Sequence, residues 1–163
     1  MRKVLILIWL PLQVFAQDYT GVWTGYLYTT GNQLQYELVI SETNNKLTGY
    51  SLTTFSINGV ENTGVKSMKV KGRKDGISIE DDNLIYNNYT TTARRVTLFS
   101  TLTLEKEDSN LVLQGTFFTR SVDRSSFKGT IRLQKKDNFS TTQLVTQLEK
   151  LNLLRGLSIM QPK

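Results

Sequence analysis

From Thr20 to about Lys136, apolar and polar residues alternate with a period of two, broken at short intervals by turn-forming residues. Only an extended strand puts every second side chain on one face, so this pattern commits most of the chain to β-sheet. Eight runs carry it: Thr20–Thr29, Gln33–Ser41, Lys46–Ile57, Gly64–Lys74, a short Gly76–Glu80, Arg95–Glu105, Asn110–Arg120 and Ser126–Lys135. The stretches between them, such as TNN, KDG and EDSN, are turn chemistry of hairpin length. One connection is longer. Asp81–Arg94 is rich in Asn and Thr, and is expected to hold a further strand piece around Leu84–Tyr86 or to form a flap over one end.

Glycines narrow the fold further. Gly25, Gly49, Gly72, Gly115 and Gly129 lie inside these runs, each in phase with an apolar set such as Trp23, Gly25 and Leu27, or Phe127, Gly129, Ile131 and Leu133. Glycine weakens a flat strand, but inward glycines let strongly coiled strands bend and relieve crowding in a closed sheet. Eight such strands predict an all-β, up-and-down antiparallel barrel spanning 17–136, with a β-sandwich as the alternative. The face opposite the apolar set reads Lys69, Lys71 and Arg73 on one strand and Lys128 and Arg132 on another. A transmembrane barrel has the reverse polarity.

Two segments flank the strands. MRKVLILIWLPLQVFAQ has two basic residues, a short apolar run and small residues at Val14 and Ala16, and reads as a secretory signal peptide over 1–16. Its apolar run falls short of the ~20 residues a membrane span needs. The chain is therefore expected to be secreted or periplasmic and bacterial, with no membrane span after the leader is removed. At the other end, Leu144, Leu148 and Leu151 follow helical spacing. Ser140 and Gln143 form a capping box for a helix over about Thr141–Asn152. This helix and the tail, 137–163, are expected to pack on the barrel. Val22, Tyr26 and Tyr28 form an outward face too apolar to stay wet, so the helix or a second subunit is expected to cover them.

An early Gly21-Val22-Trp23, eight antiparallel strands and a late helix together resemble the calycins, the lipocalin and avidin-like barrels. Leu47-Thr48-Gly49 resembles a Leu-Thr-Gly of avidins. The resemblance implies a barrel that binds a small molecule, although a fold does not dictate function. Avidins carry a biotin-binding Asn two residues after the first-strand Trp, where this chain has Gly25, and a Tyr where it has Ser51. Biotin is therefore not implied. Lipocalins pack a late Arg on the early Trp. Arg132 matches by position, but the alternation turns it outward.

Composition removes whole classes of chemistry. The chain has no cysteine and no histidine. Disulfides, thiolate nucleophiles, Ser-His-Asp triads and the usual zinc ligands are excluded, and the protein is not expected to be an enzyme. The net charge of +6 is mild, and no aromatics interleave with the basic residues, so no nucleic-acid partner is expected. Glu80-Asp81-Asp82 offers oxygen ligands for calcium but fits a turn as well, and no metal or cofactor is assigned. Asn88-Tyr89-Thr90 and Asn138-Phe139-Ser140 match the glycosylation sequon, which is inert in a bacterial protein.

The candidate ligand-binding residues are therefore inward ones. Trp23, Tyr36 and Phe117, with Phe55 and Phe127, offer an apolar lining, and Ser51, Thr53, Ser100 and Thr119 offer hydrogen bonds. The same residues also suit a filled core. An exported, non-enzymatic barrel holding a small hydrophobic or ring-bearing ligand in its mouth is the leading expectation. The alternative is an interaction domain for a protein or an anionic cell-envelope polymer. It would use Tyr26 and Tyr28 together with the basic stripe Lys66, Lys69, Lys71, Arg73 and Lys74.

Overall fold

A computed structural model describes residues 19–92, 95–122, 126–136 and 141–160. The expected leader, the sequon at Asn138 and the capping residue Ser140 lie outside these residues. Eight strands follow one another: β1 (Gly21–Thr29), β2 (Asn32–Thr43), β3 (Lys46–Ile57), β4 (Val60–Arg73), β5 (Gly76–Asn87), β6 (Val96–Glu107), β7 (Asn110–Ser121) and β8 (Lys128–Lys136). Each pairs antiparallel with its sequence neighbours, and β8 returns to β1, so the sheet is a closed barrel and not a sandwich. No helix among the described residues is long and apolar enough to cross a membrane.

The in-phase apolar residues turn inward, except Phe127, which precedes β8 and is exposed. Trp23, Leu38, Ile77, Leu102, Leu113 and Leu133 are fully buried in one interior cluster. Crowding explains the glycines: a Cβ on Gly25 would collide with the Arg132 carbonyl oxygen of β8, and one on Gly129 with that of Tyr28 in β1. Gly72 is different, because a Cβ there meets nothing within 4 Å. Beneath the interior, the Trp23 indole donates from Nε1 to the Tyr19 carbonyl at 3.0 Å. The Lys135 ammonium of β8 sits 5.4 Å from the indole ring centre. Thus Lys135 is the late basic residue on the early Trp. Arg132 is outside, donating to Gln114 at 2.9 Å and pairing with Glu107.

β5 corrects the strand boundaries most. It runs to Asn87 and absorbs the Leu84–Tyr86 piece as its own continuation. Irregularities in the β4–β5 ladder at Val65/Lys66 and Lys66/Met68 break the alternation that would have marked it. Consecutive Leu84 and Ile85 are both exposed as a result. Facing β6, β5 pairs only from Ile77 to Glu80.

A second apolar layer lies outside the barrel. Val22, Val39, Leu52 and Val65 are buried under Leu144, Val145 and Leu148 of α1 (Gln143–Lys150) and under Leu154 and Leu157 beyond it. The helix packs on β2 and β3, which limits its reach along β1. Val22 is covered as expected. Tyr26 and Tyr28 are not: they stay 42% and 37% exposed, their rings 6.1 Å apart.

Polar contacts set where the helix docks. The observed N-cap is Thr142, whose hydroxyl accepts from Val145 N at 3.2 Å. Buried Glu37 of β2 accepts from Leu144 N at 2.8 Å, a carboxylate set against the positive end of the helix. The helix stops at Lys150, and Asn152 turns left-handed at φ 58°. Farther on, Ser158 N donates to Ser41 Oγ at 2.8 Å and fastens the tail to β2.

Glu37→Ala is expected to destabilise the protein by about 1–3 kcal/mol in urea unfolding, because it leaves a buried helix N–H without an acceptor. A loss below about 0.5 kcal/mol, the range of an ordinary surface change, would contradict this role.

Candidate functional site: two mouths of one barrel

The strand ends define two mouths. One is bordered by the β2–β3, β4–β5 and β6–β7 turns and by Tyr19 ahead of β1. The other is bordered by the β1–β2 and β3–β4 turns and by the longer β5–β6 and β7–β8 connections.

The Tyr19 mouth opens into a basin of about 1020 Å³. Leu47, Met68 and Val70 give it an apolar wall, and Lys46, Lys71 and Arg73 bring positive charge to its rim. Lys69 also lines it but is paired with Asp82 at 2.7 Å, which raises the Lys69 pKa above the ordinary lysine value. Among the described residues, Lys71 and Arg73 form no ion pair. Three residues expected to form an outer interaction stripe, Lys69, Lys71 and Arg73, thus meet apolar interior residues at one mouth. None of the residues expected to bind a ligand lines this basin.

Those expected ligand residues lie in the core and towards the second mouth. Trp23 and Phe117 are buried in the interior cluster. Thr119 is buried, and its hydroxyl accepts from Phe127 N at 2.8 Å. Phe127 is 58% exposed, just ahead of β8, which begins at Lys128. Thr53 and Phe55 are half-buried, whereas Tyr36, Ser51 and Ser100 are buried.

Two charged residues missing from the expected ligand set join them. Lys66 was expected outside with the basic stripe; it points inward and pairs with Asp81 at 2.6 Å. Its place was readable, since Lys66 is in phase with Met68, Val70 and Gly72, whereas Lys69, Lys71 and Arg73 take the other phase. The same alternation splits the acidic triplet. Asp81 is buried, while Asp82 is exposed and bonded to Lys69, so the carboxylates do not converge on one ion. Among the described residues, no group of three potential metal ligands forms.

Lys66 and Asp81 close the barrel where the backbone does not. Above Glu80 and Phe99 the β5–β6 ladder ends. There Asp81 Oδ2 accepts from Leu98 N at 3.1 Å, and Lys66 Nζ donates to the Val96 carbonyl at 2.5 Å. Side chains from β5 and β4 thereby satisfy backbone groups of β6 that lack a strand partner. The local accounting is incomplete: Tyr36 Oη, Asp81 Oδ1 and Ser100 Oγ are buried without a hydrogen-bond partner among the described residues. Such groups cost about 1–3 kcal/mol each. The Ser51 hydroxyl is close enough to favour the Tyr36 phenolate slightly, but the two do not meet in hydrogen-bond geometry.

Electrostatics follow from this burial. Desolvation raises the Asp81 pKa above the ordinary aspartate value, and the Lys66 ammonium and Leu98 N–H oppose it only in part. Desolvation and the Asp81 charge together raise the pKa of the Tyr36 phenol. They do the same to Tyr89, which follows β5.

No protein-family model, no curated protein sequence and no solved structure matches this chain.

Because native Asp81 holds its proton to a higher pH than the unfolded chain, its contribution to stability is fully present below the unfolded value. That contribution is lost as pH rises through the native value. A carbon-detected NMR titration should place the Asp81 midpoint above about 3.9, the ordinary aspartate value. Lys66→Met should move the midpoint higher, since only the Leu98 N–H then opposes burial. A native midpoint at or below the ordinary value would refute the assignment.

Proposed function

We propose that this chain is an exported, non-enzymatic, calycin-like binding barrel, and that its Tyr19 mouth takes an amphipathic anion. The observation that carries the proposal is the basin of about 1020 Å³, with Leu47, Met68 and Val70 on its wall and Lys46, Lys71 and Arg73 at its rim. A hydrocarbon tail gains about 0.8 kcal/mol for each methylene it buries. A carboxylate or phosphate head gains from Lys71 and Arg73, which no acid among the described residues pairs with. Family membership rests on the closed eight-strand barrel and on Lys135 over Trp23. Export rests on the basic, apolar, small-residue pattern of the leader.

A second reading has its own observation. Tyr26 and Tyr28 remain exposed side by side beyond the end of the docked helix, an amphipathic pair suited to a protein contact.

Dodecanoate should bind in calorimetry and dodecyltrimethylammonium should not, with affinity rising about fourfold per methylene along a fatty-acid series. Lys71→Glu with Arg73→Glu should weaken dodecanoate by about tenfold or more without altering the fold. Equal binding of the two amphiphiles, or of neither, would overturn the proposal. For the second reading, Tyr26→Ser with Tyr28→Ser should abolish any self-association seen in sedimentation; unchanged association would exclude that surface.

A further inference from the structure

The second mouth is occupied by the chain itself. Tyr89, two residues beyond β5, turns back into it, and its ring lies 5.4 Å from that of Phe55 in β3. Its hydroxyl takes the space where β4 carries Gly64, and a Cβ on Gly64 would collide with that oxygen. A glycine whose missing side chain makes room for a phenol is a built fit. The segment is held from both sides of the tyrosine. Asn88 Oδ1 accepts from Thr63 N at 2.6 Å, and fully buried Asn62 accepts from Thr90 N at 2.9 Å.

The fit satisfies the rim and not the interior. Inside the barrel, Tyr36 Oη, Asp81 Oδ1 and Ser100 Oγ have no partner among the described residues, and each belongs to a side chain more than nine-tenths buried. Tyr36 and Tyr89 both feel the Asp81 charge, so the carboxylate lies within electrostatic reach of the plug. The plug supplies an aromatic ring but no hydrogen bond to these atoms. Their chemistry specifies what is missing. Asp81 Oδ1 only accepts, whereas Tyr36 and Ser100 can each donate. One hydroxyl that donates to Asp81 and accepts from Tyr36 or Ser100 satisfies both kinds. Lys66 already balances Asp81, so the group needs no charge of its own.

We propose that the Phe55–Gly64 mouth is a binding site for a small neutral phenol, and that Tyr89 is its displaceable internal stand-in. An incoming phenol takes the place of the Tyr89 ring and carries its hydroxyl deeper, to the unmet atoms. Tyr89 then swings out as the Asn88–Thr63 and Thr90–Asn62 bonds open. Competition from the plug lowers apparent affinity by the fraction of molecules in the open state. The proposal is independent of the Tyr19 mouth, and the response to dodecanoate does not bear on it.

The test uses the mature chain and 4-methylphenol, read by amide NMR. In the unsubstituted protein, 4-methylphenol should shift the Thr63 and Thr90 amides saturably, and Tyr89→Ser should tighten binding by about tenfold or more. Toluene, which has the same ring without the hydroxyl, should bind Tyr89→Ser about tenfold more weakly than 4-methylphenol. A merely vacated apolar space would instead take toluene at least as well, and that result overturns the proposal. So does the absence of a saturable shift in the unsubstituted protein, a readout that stands even if Tyr89→Ser fails to fold.

Discussion

The barrel depends on a seam that backbone hydrogen bonds close only partway. From Ile77 to Glu80, β5 is laddered to β6; beyond that, the ion pair of Lys66 and Asp81 holds Leu98 and Val96 in place. A buried ion pair is a costly substitute for a ladder, because both charges must leave water. Its cost is visible in the raised pKa of Asp81. It adds two charges to an interior in which strand phase already places the polar side chains of Tyr36, Ser51 and Ser100.

From this follows a division of labour between the two mouths. At the Tyr19 mouth, Trp23 is buttressed by the Tyr19 carbonyl and by Lys135. Positive charge gathers there because β4 ends with Lys69, Lys71 and Arg73 on the phase opposite Met68 and Val70. At the other mouth, the strand phase of β4 and β5 places Lys66 and Asp81 inside, and the chain beyond β5 carries Tyr89 back against Phe55 and Gly64. One end is open, with Lys71 and Arg73 at its rim; the other is plugged by Tyr89, with Lys66 and Asp81 paired inside.

Most of the barrel was legible because period-two alternation is a local signal. All eight strands, the coiling at Gly25 and Gly129, and the apolar face of α1 were readable from neighbouring residues alone. Three features were not. The far half of β5 was hidden because bulges displace its phase, so that Leu84 and Ile85 no longer alternate. The docking of the helix N-terminus was hidden because Glu37, more than a hundred positions away in the chain, meets it at Leu144. The plug could not be read because Gly64 looks like any in-strand glycine until Tyr89 is laid against it. The inward turn of Lys66 was readable by phase, yet its charge argued for the surface. Only its partner Asp81 resolves that conflict.

The pairing of β1 with β8 has a kinetic consequence. Val22 lies opposite Lys136, so the last edge of the barrel cannot zip until almost the whole chain is available. Every hairpin from β1–β2 to β7–β8 can form locally, but each leaves an open-edged sheet until this distant contact is made. Proteins governed by such distant pairings fold slowly, and their open edges invite association in the meantime. A chain of this kind gains from being kept extended until its final strand has emerged.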